Sequence, residues 1–300
     1  MFLRWCAGEK NKMIYISSSC VKADTIKESI LTLVREGFRN IELSGGTKYY
    51  DSLIDDLLEL KDKFGLNYLV HNYFPPPKQD FVLNLASLDE TIYSKTLKHL
   101  EASLELTRLL GGTRFSFHAG FYVDPPVGEL GKVFNHSELY NREQAVNQFC
   151  KGFEFLRHKF HDIEFYIENN CYSSSNCFVY NNSIPFMLLN QQDYQNLQSK
   201  IDFNLLLDIA HLLVSSKTLS CDFEEELNLL FEKTDYIHIS SNDTLHDQNM
   251  GLIKESNLVH KMKNLAWDTK IVTLEVYESI EALKETYKII SSFKKQKQVL

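Results

Sequence analysis

Eight short apolar, β-rich runs punctuate this 300-residue chain, each followed by an amphipathic stretch with helical spacing, and no other feature narrows the choice of fold so far. The runs occupy residues 13–17, 40–43, 67–70, 114–117, 164–167, 204–207, 236–239 and 271–274, and each is too short to be a helix. Strands separated by helices pair in parallel, because a parallel partner is reached only by a crossover. Eight such units predict an α/β chain closed into a (β/α)8 TIM barrel. Barrels of about 250 residues fold as one unit. The expectation is therefore a single domain over 13–293, preceded by an extension, 1–12, and followed by a basic tail, 294–300.

The intervening segments carry readable ends. The first helix places Ile26, Ile30, Leu33, Val34 and Phe38 on one face, with Asp24 as its expected N-cap and Gly37 near its end. The third is expected to start with a capping box at Ser87-Leu88-Asp89-Glu90 and to stop at Gly111-Gly112. Phe223, Leu227, Leu230 and Phe231 stripe the sixth, and Ile280, Leu283, Tyr287 and Ile290 the eighth. The longer loops, 72–87, 119–141 and 169–183, follow strands, which is the functional face of such a barrel.

Charge and cysteine usage exclude several classes. Lys and Arg total 32 against 40 for Asp and Glu, a net charge of −8 that disfavours nonspecific binding to phosphate backbones. The basic cluster Lys294, Lys295, Lys297 reads as a solvated terminus. Six cysteines without a Cys-x-x-Cys pair suit a reducing compartment. Glu9, Lys10 and Lys12 interrupt what would be the apolar core of a signal peptide, and no run is long and apolar enough to span a bilayer. The expected location is cytoplasmic, with no membrane partner; assembly into a homo-oligomer stays open.

The chemistry lies at the strand ends. At or just beyond the C-terminal end of six strands stand His71, His118, Glu168, Asp208, His238 and Glu275. Singly, each has an ordinary explanation as a hydrogen-bonded core histidine or a helix cap. Together they converge, because all C-terminal strand ends of a closed barrel face one mouth, where uncompensated imidazoles and carboxylates would repel or stay unsatisfied. A divalent cation resolves that conflict. Mixed nitrogen and oxygen ligation suits zinc or manganese, while the carboxylates keep magnesium and cobalt in contention. His211, three residues beyond Asp208, faces the same mouth, and His246 and Asp247 add polar groups on the seventh loop.

These residues resemble the xylose isomerase-like barrel superfamily, which holds sugar isomerases and epimerases alongside class II apurinic/apyrimidinic endonucleases of the endonuclease IV type. The best-matching stretch is VHNYFPPPKQDFVLNLASLDETIYSKTLKHLEASLELTRLLGGTRFSFHAG. The resemblance implies a central metal site of Glu168, Asp208, His238 and Glu275, matched in IEN, LLDIAH, YIHIS and TLEVY. It also implies a second ion held by His71 and His118 with Glu168 bridging, so one or two ions are expected. The endonuclease branch needs a third site from His211 and an Asp-x-His, and here that loop reads Asp247-Gln248-Asn249. The second strand ends IELSGG, similar to the isomerase branch.

The favoured reading is therefore a metal-dependent sugar isomerase or epimerase. Glu168 and Glu275 would exchange a proton beside a carbonyl through a metal-stabilised enediolate. His211 would hold a substrate oxygen, with Tyr73, Asn169, Asp247 and His246 as further carbohydrate contacts and Lys48 as the candidate for a phosphate. Tyr122, Tyr172 and Phe74 are candidate stacking residues. The alternatives are a metal-dependent phosphodiester hydrolase acting at abasic sites in DNA, with nucleic acid disfavoured by the acidic charge, and a non-catalytic metal-binding barrel.

Overall fold

A computed structural model describes residues 14–129, 132–135 and 137–294. The expected extension 1–12, with Lys295 and Lys297 of the expected tail, lies outside them. Eight parallel strands close into one barrel: β1 (Ile14–Ser17), β2 (Asn40–Leu43), β3 (Asn67–His71), β4 (Arg114–His118), β5 (Glu164–Glu168), β6 (Asn204–Asp208), β7 (Tyr236–Ile239) and β8 (Ile271–Leu274). Closure comes from β1 pairing with β8, Tyr15 opposite Thr273. Four strands run one residue further than expected, which brings His71, His118, Glu168 and Asp208 into the ladders themselves.

Among the described residues, ten α-helices accompany the strands: α1 (Ile26–Arg35), α2 (Leu53–Phe64), α3 (Glu90–Leu109), α4 (Arg142–Lys159), α5 (Ser174–Val179), α6 (Gln191–Gln198), α7 (Ile209–Leu219), α8 (Phe223–Phe231), α9 (Asn257–Met262) and α10 (Ile280–Phe293). Their buried faces are the predicted stripes: Ile26, Ile30, Leu33 and Val34 in α1, Leu227, Leu230 and Phe231 in α8, Leu283 and Ile290 in α10.

Three local expectations are corrected. Thr25, not Asp24, caps α1: its hydroxyl accepts from Glu28 N while Glu28 accepts from Thr25 N, a full capping box that leaves Asp24 to pair with Lys48. Asp89, not Ser87, caps α3, accepting from Thr91 N and Ile92 N, because the Ser87 hydroxyl is drawn to Asp124 at 2.6 Å. Lys294 is no solvated tail residue. It is buried, its ammonium donating to the carbonyls of Trp267, at 3.2 Å, and Lys270, with its stem in the core.

Side chains alternate in and out along each strand, so the residue two before each strand-end ligand also points into the barrel. Leu69, Tyr166, Leu206 and Tyr236 are such residues, and with Tyr15 they form a buried cluster beneath the mouth. Lower still, Arg114 pairs with Asp235 at 2.9 Å and the Tyr166 hydroxyl donates to the same carboxylate. The barrel is thus packed below and polar above.

Candidate metal centre

The strand ends deliver what their sequence positions imply. Atoms of Glu168, Asp208, His238 and Glu275 lie within 4.8 Å of one another, all four residues buried. His238 Nδ1 is 3.5 Å from Glu168 Oε1 and 3.4 Å from Glu275 Oε2, so both glutamates approach one imidazole nitrogen. A second group, His71, His118 and Glu168, adjoins it, with His71 Nε2 3.2 Å and His118 Nδ1 3.6 Å from Glu168 Oε2. One oxygen of Glu168 therefore faces each group.

The remaining atoms of these ligands are tied down by neighbours. His71 Nδ1 lies 2.9 Å from Ser116 Oγ, leaving Nε2 for Glu168. His238 Nε2 donates to Glu42 Oε2 at 3.1 Å. Glu42 is fully buried, and the same oxygen accepts from the hydroxyls of Tyr236 and Thr273. Burial pushes the Glu42 carboxyl up, and the contacts from His238 and Thr273 pull the other way. Glu42 was not anticipated from the sequence: it stands one residue short of the end of β2, in register with Leu69 of the inner layer, and its signal was a lone acid inside an apolar strand.

Electrostatics give the cluster a pronounced appetite for positive charge. Burial pushes Glu168 up to about 7 and Asp208 up to about 6, against the pull of nearby histidines. Burial also acts on Glu275, but His238, His211 and His118 outweigh it and hold that carboxyl down at about 2. His71 and His118 are pushed well below the usual range by burial and by neighbouring imidazoles. His238 is raised despite burial, by Glu42, Glu275 and Glu168. Both oxygens of Glu168, Asp208 Oδ2, His238 Nδ1 and His118 Nδ1 are buried without a hydrogen-bond partner. Leaving several such atoms unpaired costs about 1–3 kcal/mol apiece, and more for charged groups. A divalent cation among them satisfies the set, and the donor chemistry fits one.

Above the ligands lies a cavity of about 660 Å³. His118, His211 and Tyr277 line it, and each contacts a glutamate: His211 Nδ1 is 3.5 Å from Glu168 Oε1, and the Tyr277 hydroxyl donates to Glu275 Oε1 at 3.3 Å. Tyr277, two residues beyond Glu275, was also not anticipated. Tyr73, Asp247 and His246 line the cavity; the Tyr73 hydroxyl accepts from Leu83 N and His246 pairs with Asp243 at 2.9 Å. Asp247 Oδ2 is 3.3 Å from His211 Nε2. Asn249, at the third position of the Asp-x-His comparison, accepts from Ser240 instead.

Other expectations are redirected. Asn169 is spent on the backbone of Asp208, donating to its carbonyl at 3.0 Å and accepting from its N–H at 2.8 Å, so it stitches β5 to β6 rather than meeting a ligand. Lys48 is absent from the cavity lining and pairs with Asp24 on the surface at 2.7 Å. Phe74 and Tyr172 are buried in hydrophobic clusters, and Tyr122 sits beneath the Arg142 guanidinium.

A profile of the xylose isomerase-like TIM barrel family matches residues 31–295. The chain belongs to that family. No curated protein matches the sequence significantly. Among solved structures, a D-tagatose 3-epimerase-like protein superposes with a TM-score of 0.67 at 16% identity, covering 94% of this chain and 97% of that one. A 3-keto-D-glucoside 4-epimerase from E. coli gives 0.63 at 12% identity, covering 94% and 99%. Endonuclease IV from Thermus thermophilus gives 0.59 at 12% identity, covering 94% and 98%. Both branches of the xylose isomerase-like family thus share this barrel, and their fold does not choose between them. Among the described residues no helix is long and apolar enough to cross a membrane, and the five described cysteines are free thiols.

Proposed function

We propose that this member of the family is a divalent-metal-dependent sugar isomerase or epimerase that moves a proton beside a carbonyl. One observation carries the reading: the cavity reaches both glutamates, through His118 and His211 to Glu168 and through Tyr277 to Glu275. Glu168, Asp208, His238 and Glu275 would hold the ion, zinc or manganese by donor type. When bound, it supplies Lewis-acid stabilisation of the negative charge that develops as a proton leaves carbon.

The side chains do the rest. Glu168 and Glu275 both approach His238 Nδ1, at 3.5 and 3.4 Å, and one carboxylate would take a proton while the other returns one. His211, buried and pointing Nε2 toward Asp247, offers an N–H to a substrate oxygen when that contact gives way. Tyr277 keeps Glu275 Oε1 oriented, and Asn169 holds the backbone that presents Asp208.

A second reading, metal-dependent hydrolysis of phosphodiesters, is favoured by the neighbouring His71–His118–Glu168 group, since paired ions suit that chemistry. A single comparison separates the two. The metal-loaded protein is incubated in D2O with a panel of ketoses and, separately, with duplex DNA containing an abasic site. Deuterium exchange at a carbon-bound position, absent in Glu168→Gln and Glu275→Gln, supports the first reading. Strand cleavage without exchange would replace it with the second.

A further inference from the structure

Among the described residues five asparagines are buried, and four of them are committed to holding the fold. Asn84 and Asn170 donate to backbone carbonyls, Asn169 bonds the backbone of Asp208, and Asn176 accepts from Phe134 N. The fifth, Asn72, has no hydrogen-bond partner for its carboxamide among the described residues. It is only 6% exposed, and it lines the cavity above the ligands. A buried amide left unpaired is uncommon, because it gives up water and gains no partner in return.

The backbone holds Asn72 firmly. The residue directly follows His71 of the ligand cluster; its N–H donates to Ser116 O at 2.8 Å, and a turn closes over it as Phe74 N donates to His71 O at 3.1 Å. Within that turn Asn72 has a φ of +42°, in the left-handed region that glycine adopts freely and other residues only against steric resistance. Asparagine is tolerated there chiefly because its short polar side chain can bond to nearby backbone, and this one does not. Glycine would serve the turn as well. The carboxamide therefore stands where the fold gains nothing from it, one residue from a ligand and on the cavity surface.

Its place in the ring matters. β3 lies four places from β7 in the closed ring of eight strands, so Asn72 reaches the cavity from the side opposite the loop that carries Asp247. A carboxamide offers a donor beside an acceptor, which suits hydroxyls, singly or as an adjacent pair; a phosphate or a carboxylate only accepts and would leave Oδ1 against negative charge. We propose that Asn72 is a specificity-determining residue whose carboxamide receives hydroxyls of the sugar on the side of the cavity away from Asp247, Nδ2 donating to one oxygen and Oδ1 accepting from a hydroxyl. This rests on the sugar-chemistry reading above and assigns the recognition of hydroxyl configuration to one residue. Asn72 has no part in proton transfer.

The test is equilibrium binding to the metal-loaded protein by calorimetry, with D-fructose, D-allulose, D-sorbose and D-tagatose as probes, ketoses that differ only in the configuration of their hydroxyls. The parent protein is expected to prefer one of them, and Asn72→Gly to bind that ketose more weakly by about fivefold or more, the scale of one hydrogen bond between neutral partners. Because glycine suits the turn and no side-chain hydrogen bond is removed, neither Tm nor metal content should fall. Asn72→Asp, which keeps the shape and loses both N–H donors, should bind the same ketose more weakly too. Undiminished affinity in both variants, a loss of metal or of Tm in place of sugar, or a parent that binds the four ketoses equally or not at all would overturn the proposal. The D2O exchange experiment stands apart from these outcomes. Ketose exchange whose KM is unchanged by Asn72→Gly sinks the role of Asn72 and spares the reaction; sugar binding that depends on Asn72 without exchange does the reverse.

Discussion

Glu42 Oε2 lies 3.1 Å from His238 Nε2, and this buried contact turns the opposite nitrogen, Nδ1, toward Glu168 and Glu275. An imidazole ligates through an unprotonated nitrogen, so the proton on Nε2 must be anchored elsewhere. Glu42 provides that anchor, and Tyr236 and Thr273 fix the anchor in turn.

Glu42→Gln is therefore expected to weaken metal binding by about 10–100-fold, the usual effect of losing a partner behind a ligating histidine. Metal titration of the purified variant measures it. Unchanged affinity, with the fold intact by circular dichroism, would remove Glu42 from this role.

The protonation of the ligands sets a direction for pH. Glu168 is pushed up to about 7 and Asp208 to about 6, so both carboxyls are largely protonated at low pH and an incoming ion must displace their protons. His238, also raised, adds to the same trend. Affinity should rise between about pH 5.5 and about pH 8, with proton release on binding that shrinks toward the upper end. Calorimetry in buffers of different ionisation enthalpy reads the proton count directly; affinity that falls with pH would contradict the ligand assignment.

Two ligand groups share Glu168, and substitutions should divide them. His118→Ala is expected to lower the metal content by one ion relative to a two-ion parent and to spare the Glu168, Asp208, His238, Glu275 group. Glu168→Ala should disturb both. Elemental analysis gives the stoichiometry, and a parent that holds only one ion would confine binding to the four-ligand group.

Ion binding also reports on whether the cluster is a metal centre at all. At a free concentration about a hundredfold above the dissociation constant, a ligand specific to the folded state stabilises it by about 2.7 kcal/mol. Chelation should lower Tm accordingly and added zinc or manganese should restore it. A Tm indifferent to both would contradict the metal-centre assignment of the strand-end cluster and, with it, both metal-dependent readings.

Asn84→Ala tests how the loop after β4 is held. The substitution strips partners from Phe121 N and Ala86 N, both buried. Each orphaned amide costs about 1–3 kcal/mol, so the loss of stability should be roughly 2–6 kcal/mol by chemical denaturation.

Most of the barrel was legible because its signal is periodic. Each β-run is short and apolar enough for a buried parallel strand, helical stretches separate the runs, and the ligand types recur at the same place relative to each run, as at His71, His118 and Asp208. Glu42 carries no such signal, because it stands one residue short of its strand end, in register with Leu69 of the inner layer. Tyr277 escaped because a tyrosine two residues past a strand carries no pattern. The partners of Asn169 and Lys48 are not legible in the sequence, because a polar side chain has many partners within reach and which one it takes depends on backbone placement. The capping choices at Thr25 and Asp89 turned on competition of the same kind.

The packed layer of Tyr15, Leu69, Tyr166, Leu206 and Tyr236 closes the barrel underneath the ligands. Traffic is therefore one-way in and one-way out through the same doorway, and whatever fills the cavity stands between the ion and solvent. An ion held by the strand-end ligands would then have to enter before any organic ligand that fills the cavity. A chelator competing with a bound ligand must wait for that ligand to leave, so occupancy of the cavity would set the clock for metal exchange.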